Sequence, residues 1–165
     1  MSGRLGLSAA LLSGFVALPL AAAERVAVFD VELINTSMEP TQPAETARLA
    51  MLKEVATAEF ARHGLEPVDT SPVAAEVARV SSLHGCNGCE LDLARRLGAD
   101  LAALGWVQKV SNLILSLTMQ VREVGSGRLV RAGSVDIRGN TDESWRRGIT
   151  YLVNRRLFPQ GPALP

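Results

Sequence analysis

Leu91-Asp92-Leu93-Ala94-Arg95-Arg96-Leu97-Gly98-Ala99-Asp100-Leu101 changes its period at Gly98. Before it, Leu91, Ala94 and Leu97 recur at helical spacing; after it, apolar residues run on almost without a break from 99 to 110, as in a buried strand. A helix over residues 90–97 that stops at a glycine and passes at once into a strand is the joint of an α/β chain.

Downstream, residues 113–124 alternate Leu113, Leu115, Leu117, Met119 and Val121 with more polar neighbours, the period of a half-buried strand. Gly125-Ser126-Gly127 is a tight turn into a returning strand over residues 129–137. Asn140 and Glu143 read as an N-cap and N3 pair opening a last helix over residues 142–157, with Trp145, Ile149 and Leu152 on one face.

Upstream, residues 25–34 hold Val26, Val28, Leu33 and Ile34 and are expected to form one strand. Residues 35–43 form a loop, and residues 44–63 a helix with Ala47, Met51, Val55, Ala58 and Phe60 at helical spacing before Gly64. Residues 65–68 are a short strand that Pro67 confines to a sheet edge, and residues 71–82 are expected to hold a short helix from Pro72. The order is strand, helix, strand, helix, three strands and a helix. The fold class is α/β (α+β), with a mixed sheet and helices on one or both faces.

Residues 1–23 carry Arg4, an apolar run and Ala21-Ala22-Ala23, the layout of a cleavable secretory signal. The run is too short for a membrane anchor and is broken by Gly14 and Pro19. Cleavage is expected before Glu24, where no cysteine offers a site for lipid. The expected product is a single periplasmic domain over residues 24–158 with a flexible tail over residues 159–165, not inserted in the membrane. Removing Arg4 takes the basic residues from 17 to 16 against 17 acids, so nothing draws the mature chain to phosphate backbones and nucleic acid is not an expected partner.

The only two cysteines lie together in Cys86-Asn87-Gly88-Cys89. In an oxidising compartment they are expected to form a disulfide pinning a loop to the following helix. A redox pair is the sharper reading, since a C-x-x-C at a helix start lowers a thiol pKa. Against it, the approach Ser81-Ser82-Leu83-His84-Gly85 is a polar loop and not a strand. A metal reading adds His84 to Cys86 and Cys89 for Cu(I) or Zn, but no fourth ligand is evident. Haem attachment is disfavoured because Glu90, not His, follows Cys89. No cofactor is expected unless the metal reading holds.

Elsewhere no catalytic set assembles. Asp30, Glu32, Asp136 and Asp142 have no spacing that pairs any two for acid and base work. Trp106 and Trp145 read as core, His63 as a helix-end residue, and Arg146, Arg147, Arg155 and Arg156 as a solvated helix face. No phosphate loop, G-x-S-x-G elbow or H-E-x-x-H occurs.

The run from Leu93 to Asp100, the strand through Gly105-Trp106-Val107 and the hairpin after it resemble the N-terminal α/β domain of TolB-like periplasmic proteins. That likeness implies the same element order. The chain has no β-propeller, so Tol-system binding is not implied, and the Cys motif is foreign to that pattern. With Val28-Phe29-Asp30 and Arg138-Gly139-Asn140-Thr141-Asp142-Glu143-Ser144-Trp145-Arg146, the whole sequence is more similar still to an uncharacterised proteobacterial periplasmic family, domain-of-unknown-function groups 2380 and 3280. This implies an accessory module in the setting of quinoprotein alcohol oxidation, and the expected mode is recognition of an envelope protein through a sheet edge or the Cys-motif loop. The competing expectation is a thiol-exchange or Cu/Zn-handling protein acting through Cys86 and Cys89.

Overall fold

The computed structural model describes residues 22–160; the expected leader and the expected tail therefore fall outside the described residues, apart from 22–23 and 159–160. The elements are β1 (Arg25–Val28), β2 (Glu32–Asn35), α1 (Pro43–Arg62), β3 (Glu66–Val68), a 3-10 turn (Ser71–Val73) leading into the single turn α2 (Ala74–Val77), α3 (Cys89–Arg96), β4 (Leu101–Lys109), β5 (Ile114–Glu123), β6 (Leu129–Arg138), α4 (Asp142–Tyr151) and a π-helical turn (Leu152–Leu157). The expected α/β architecture with a mixed sheet is the one observed.

The sheet runs β3-β1-β4-β5-β6, with β2 continuing beside β4. β3, β1, β2 and β4 are parallel, and β4, β5 and β6 form an antiparallel meander. The crossover through α1 runs outward to β3, and the one through α3 runs back past β1 to β4. Right-handed crossovers in opposite directions put their helices on opposite faces. One core accordingly lies under α1 and α4, around Leu52, Phe60, Val107, Leu117, Trp145 and Ile149. A smaller one lies under α3, around Phe29, Leu83, Leu93, Ala94 and Leu104.

The joint at Gly98 behaves as its sequence requires. Gly98 has φ +67°, closing α3 in the left-handed region that glycine tolerates. Asp100 then accepts the Arg25 backbone N–H at 2.8 Å, and its own N–H donates to the Arg25 carbonyl at 2.8 Å. The end of α3 is thus tied to the start of β1 before β4 begins.

Three sequence expectations need correction. The strand expected over residues 25–34 is two strands, because Val28 stands opposite Ala103 whereas Glu32 stands opposite Trp106. One extra residue in this chain forms a bulge around Phe29–Val31, and since side chains alternate, it exchanges the two faces. Val26 and Val28 face the α1 core before it, and Val31 does so after it. Glu32 is thereby turned to the opposite face. The helix expected from Pro72 is only a 3-10 turn and one α-turn. Finally, the cap of α4 is Thr141, whose Oγ1 accepts the Ser144 N–H at 3.3 Å, one residue along from the expected pair.

Asn140 has another task. Its Nδ2 donates to Glu45 Oε1 at 2.6 Å, where Lys109 Nζ also donates at 2.7 Å. Glu45 Oε2 in turn accepts the Gln42 N–H at 2.8 Å, capping α1. Glu45 and Lys109 are both fully buried, so this ion pair joins α1, β4 and the entry to α4 without contact with water. Burial pushes the Glu45 carboxyl up, but the bonds from Lys109, Gln42 and Asn140 outweigh it and leave it below the usual carboxylate range. Among the described residues no helix is long and apolar enough to cross a membrane.

A disulfide-stapled loop beside Trp106

The loop between α2 and α3 carries the residues singled out by sequence. Cys86 and Cys89 are joined in a disulfide, with Cα atoms 5.7 Å apart. Asn87 and Gly88 between them have φ +58° and +111°, a left-handed pair that turns the chain sharply into α3. The helix begins at Cys89, so Cys86 precedes the N-cap Gly88 and lies outside the helix.

What surrounds Cys86 Sγ is electronegative. The Leu83 carbonyl lies 3.0 Å away and Glu90 Oε2 lies 3.6 Å away. Glu90 is 2% exposed and its other oxygen lies 3.3 Å from Arg122 Nη1 on β5. Two acceptors beside the sulfur oppose a thiolate there, the reverse of the environment that activates a cysteine. Among the described residues, the one group of three or more His, Cys, Asp or Glu side chains whose donor atoms all lie within 4.8 Å of one another is Cys86, Cys89 and Glu90. His84, the residue expected beside the cysteines, is turned elsewhere.

Its partner is Glu32, delivered to this face by the bulge. Glu32 Oε2 lies 2.5 Å from His84 Nδ1 and accepts the His84 backbone N–H at 3.2 Å and Ser82 Oγ at 3.2 Å. Oε1 accepts the Leu83 N–H at 2.6 Å. Burial pushes the Glu32 carboxyl up, and the hydrogen bonds from His84 and the Leu83 and His84 amides more than offset this, holding it below the usual carboxylate range. The imidazole then stacks on Trp106, with centroids 5.2 Å apart and planes 25° from parallel. Trp106, expected in the core, is only half-buried; Trp145 is fully buried as expected.

Glu32, Ser82 and His84 resemble the makings of a nucleophilic triad, but the geometry is wrong for one. Ser82 Oγ lies 2.7 Å from the same Nδ1 that faces Glu32. A base must take the serine proton on one ring nitrogen while the carboxylate orients the other. Here both partners crowd one nitrogen, and the arrangement clamps the loop.

The remaining expected residues lie apart. Asp30 pairs with Lys53 at 2.7 Å and Asp142 with Arg48 at 2.6 Å. His63 is buried, stacked on Phe158 at 4.2 Å, with Nε2 2.7 Å from Asn154 Oδ1. Arg146, Arg147, Arg155 and Arg156 are exposed, as a solvated face requires. Sequence reasoning missed Glu90 with Arg122 and gave Glu32 no partner. Each pair is more than 30 residues apart in the chain, with no local pattern to announce it.

No curated protein matches the chain. Among solved structures, the C-terminal domain of LpoB from Salmonella enterica superposes with a TM-score of 0.53 at 17% identity, covering 73% of this chain and 86% of that one. Lipoprotein GNA1162 from Neisseria meningitidis gives 0.51 at 14% identity over 73% and 83% of the two chains. TolB from Acinetobacter baumannii gives 0.45 at 8% identity over 83% of this chain and 29% of its own. At such identities the likeness to LpoB and GNA1162 is one of fold alone. The sequence itself goes further, because residues 24–157 match the model of the DUF3280 family, described as "Protein of unknown function (DUF2380)", and the chain belongs to that family.

Proposed function

We propose that the chain is a non-catalytic accessory module of the periplasm that recognises an envelope protein through the loop of residues 81–88. The observation that carries this reading is the loop's pre-organisation from three sides: the Cys86–Cys89 bond, the Glu32 carboxylate and the His84 stack on Trp106. Ser81, His84, Gly85 and Asn87 remain exposed on top of it. A loop fixed before binding loses little conformational entropy on docking, which is how a small rigid surface reaches useful affinity. The periplasmic setting is supported by the leader in residues 1–23, and the link to quinoprotein alcohol oxidation by the family resemblance.

A thiol-exchange or Cu/Zn-handling protein is the second reading, favoured by the grouping of Cys86, Cys89 and Glu90. The acceptors around Cys86 Sγ and the engagement of Glu90 by Arg122 speak against it.

A photo-crosslinking side chain at Ser81 on the full chain in its own cells, with the same group at Glu54 on the exposed side of α1 as control, tests the first reading. One envelope protein captured from Ser81 and not from Glu54 supports it. Equal capture from both positions, or none from Ser81, overturns it. Replacing both cysteines by serine weakens such a complex under the first reading and abolishes activity under the second.

A further inference from the structure

β6 is the outer strand of the meander and has one neighbour, β5. Among the described residues no backbone group of Leu129–Arg138 bonds to anything beyond that ladder. An antiparallel strand paired on one side presents alternate N–H and C=O groups on the other, the template for adding a strand. The first residues are spoiled for this purpose by a bulge at Val130, where Val121 and Arg122 stand opposite Arg131 and Leu129. From Gly133 to Arg138 the register is unbroken.

α4 and the π-helical turn after it lie close over this segment. A Cβ on Gly133 would stand 2.7 Å from Arg156 Cβ, and one on Gly148 2.9 Å from Ile137 Cγ1. The two glycines let helix and strand approach, so that a groove of about 600 Å³ runs along the free edge. Arg147 and Arg156 line it from the helical side and Arg138 from the strand, with Asp136 its one acid. Of these arginines only Arg147 is ion-paired among the described residues, to Glu143 at 3.5 Å. Arg131, by contrast, is folded inward: it donates to the Leu157 carbonyl at 3.1 Å and lies 4.2 Å over the Phe158 ring.

We propose that the β6 edge between Gly133 and Arg138 is a second binding site, which takes an extended acidic segment of a partner protein as an added strand. Main-chain hydrogen bonds would supply affinity and the arginines would select acidic side chains. A second copy is a poorer occupant. Two β6 strands paired about a twofold axis perpendicular to the sheet would bring α4 and the π-helical turn of both copies together on one face, setting Arg147 and Arg156 against their own copies. The chain's own end is poorer still, since residues 159–165 contain three prolines and no acid.

The test uses the isotope-labelled protein titrated with a ten-residue peptide of alternating Thr and Glu, and with its Thr and Lys counterpart. The acidic peptide should shift the amides of residues 133–138 and not those of residues 81–88, should bind about tenfold more weakly to R147E/R156E, and should be weakened by 0.3 M salt. The milder R147Q/R156Q pair, which keeps the same Cβ contacts, should show a smaller loss if the charge-reversed protein fails to fold. The inference is overturned if the Glu peptide does not bind at millimolar concentration, if the Lys peptide binds as well, or if the shifts lie away from β6. It is equally overturned if the β6 amides shift with protein concentration alone, which would assign the edge to a second copy. These failures leave the reading of the loop untouched, because that reading rests on capture at Ser81.

Discussion

Replacing Glu32 by Gln should free the loop without unfolding the domain. The Glu32 carboxylate accepts the Leu83 N–H at 2.6 Å, the His84 N–H at 3.2 Å and Ser82 Oγ at 3.2 Å, and lies beside His84 Nδ1. Glutamine keeps one oxygen and turns an amino group towards the remaining donors. Bonds to a charged group contribute about 1.5–3 kcal/mol each, and the side chain is 25% exposed, so we take a total loss near the lower end, about 2 kcal/mol. That corresponds to about thirtyfold faster opening of the loop. Hydrogen exchange at the Leu83 and His84 amides reports it directly, with β5 amides as the internal standard. Unchanged exchange at Leu83 and His84, or equal acceleration in β5, would refute the claim that Glu32 clamps the loop. The pH dependence has a defined sign. Because the folded Glu32 carboxyl lies below its ordinary range, its stabilisation is present above that range and is lost as pH falls through the depressed value. Wild-type loop protection should therefore fade in acid, and that of E32Q should not show the same step.

Serine at both Cys86 and Cys89 removes a closure of sequence separation 3, which by chain entropy contributes about 2 kcal/mol. Its thermal midpoint should fall by about 5–10 °C with the circular dichroism of the folded sheet retained, and loss of the fold would contradict the reading of the disulfide as a local staple. Glu45→Gln leaves the buried Lys109 ammonium only the more distant Glu39 carboxylate, at 3.6 Å, and should cost about 3–5 kcal/mol in urea unfolding, whereas the double change to Met at both positions should cost less. Gly133→Ala places a methyl 2.7 Å from Arg156 Cβ and should destabilise by about 1–3 kcal/mol; unchanged stability would show that the π-helical turn does not press on β6.

The elements legible in sequence are those whose signals are local. Gly98 ends α3, Gly125-Ser126-Gly127 lies at the bend from β5 to β6, and α1 stops before Gly64, all within a few residues of where pattern alone puts them. The bulge after Val28 was not legible, because Asp30 and Val31 fit either register and only pairing to β4 settles it. Its consequence was therefore hidden too. Once the bulge turns Glu32 over, an apparently isolated carboxylate meets His84, 52 residues away. The cap of α4 was misplaced by one residue since Asn140 and Thr141 are both good caps; the buried Glu45 claims Asn140 and leaves Thr141 to the helix. Cys86 and Cys89 were legible as a pair, but the acceptors around Cys86 Sγ come from Leu83 and Glu90 through the turn at Asn87 and Gly88.

The central claim is that Cys86–Cys89 is a staple holding a recognition loop, and the reduction potential of the pair in metal-free protein tests it most directly. Thiols are counted against a dithiol buffer series, and the reduced protein is then exposed to zinc and to Cu(I). The account predicts a potential below about −300 mV and no stoichiometric metal uptake. A potential in the oxidising range of about −120 to −180 mV, or one metal ion bound per reduced chain, would contradict it and make the disulfide the reactive centre.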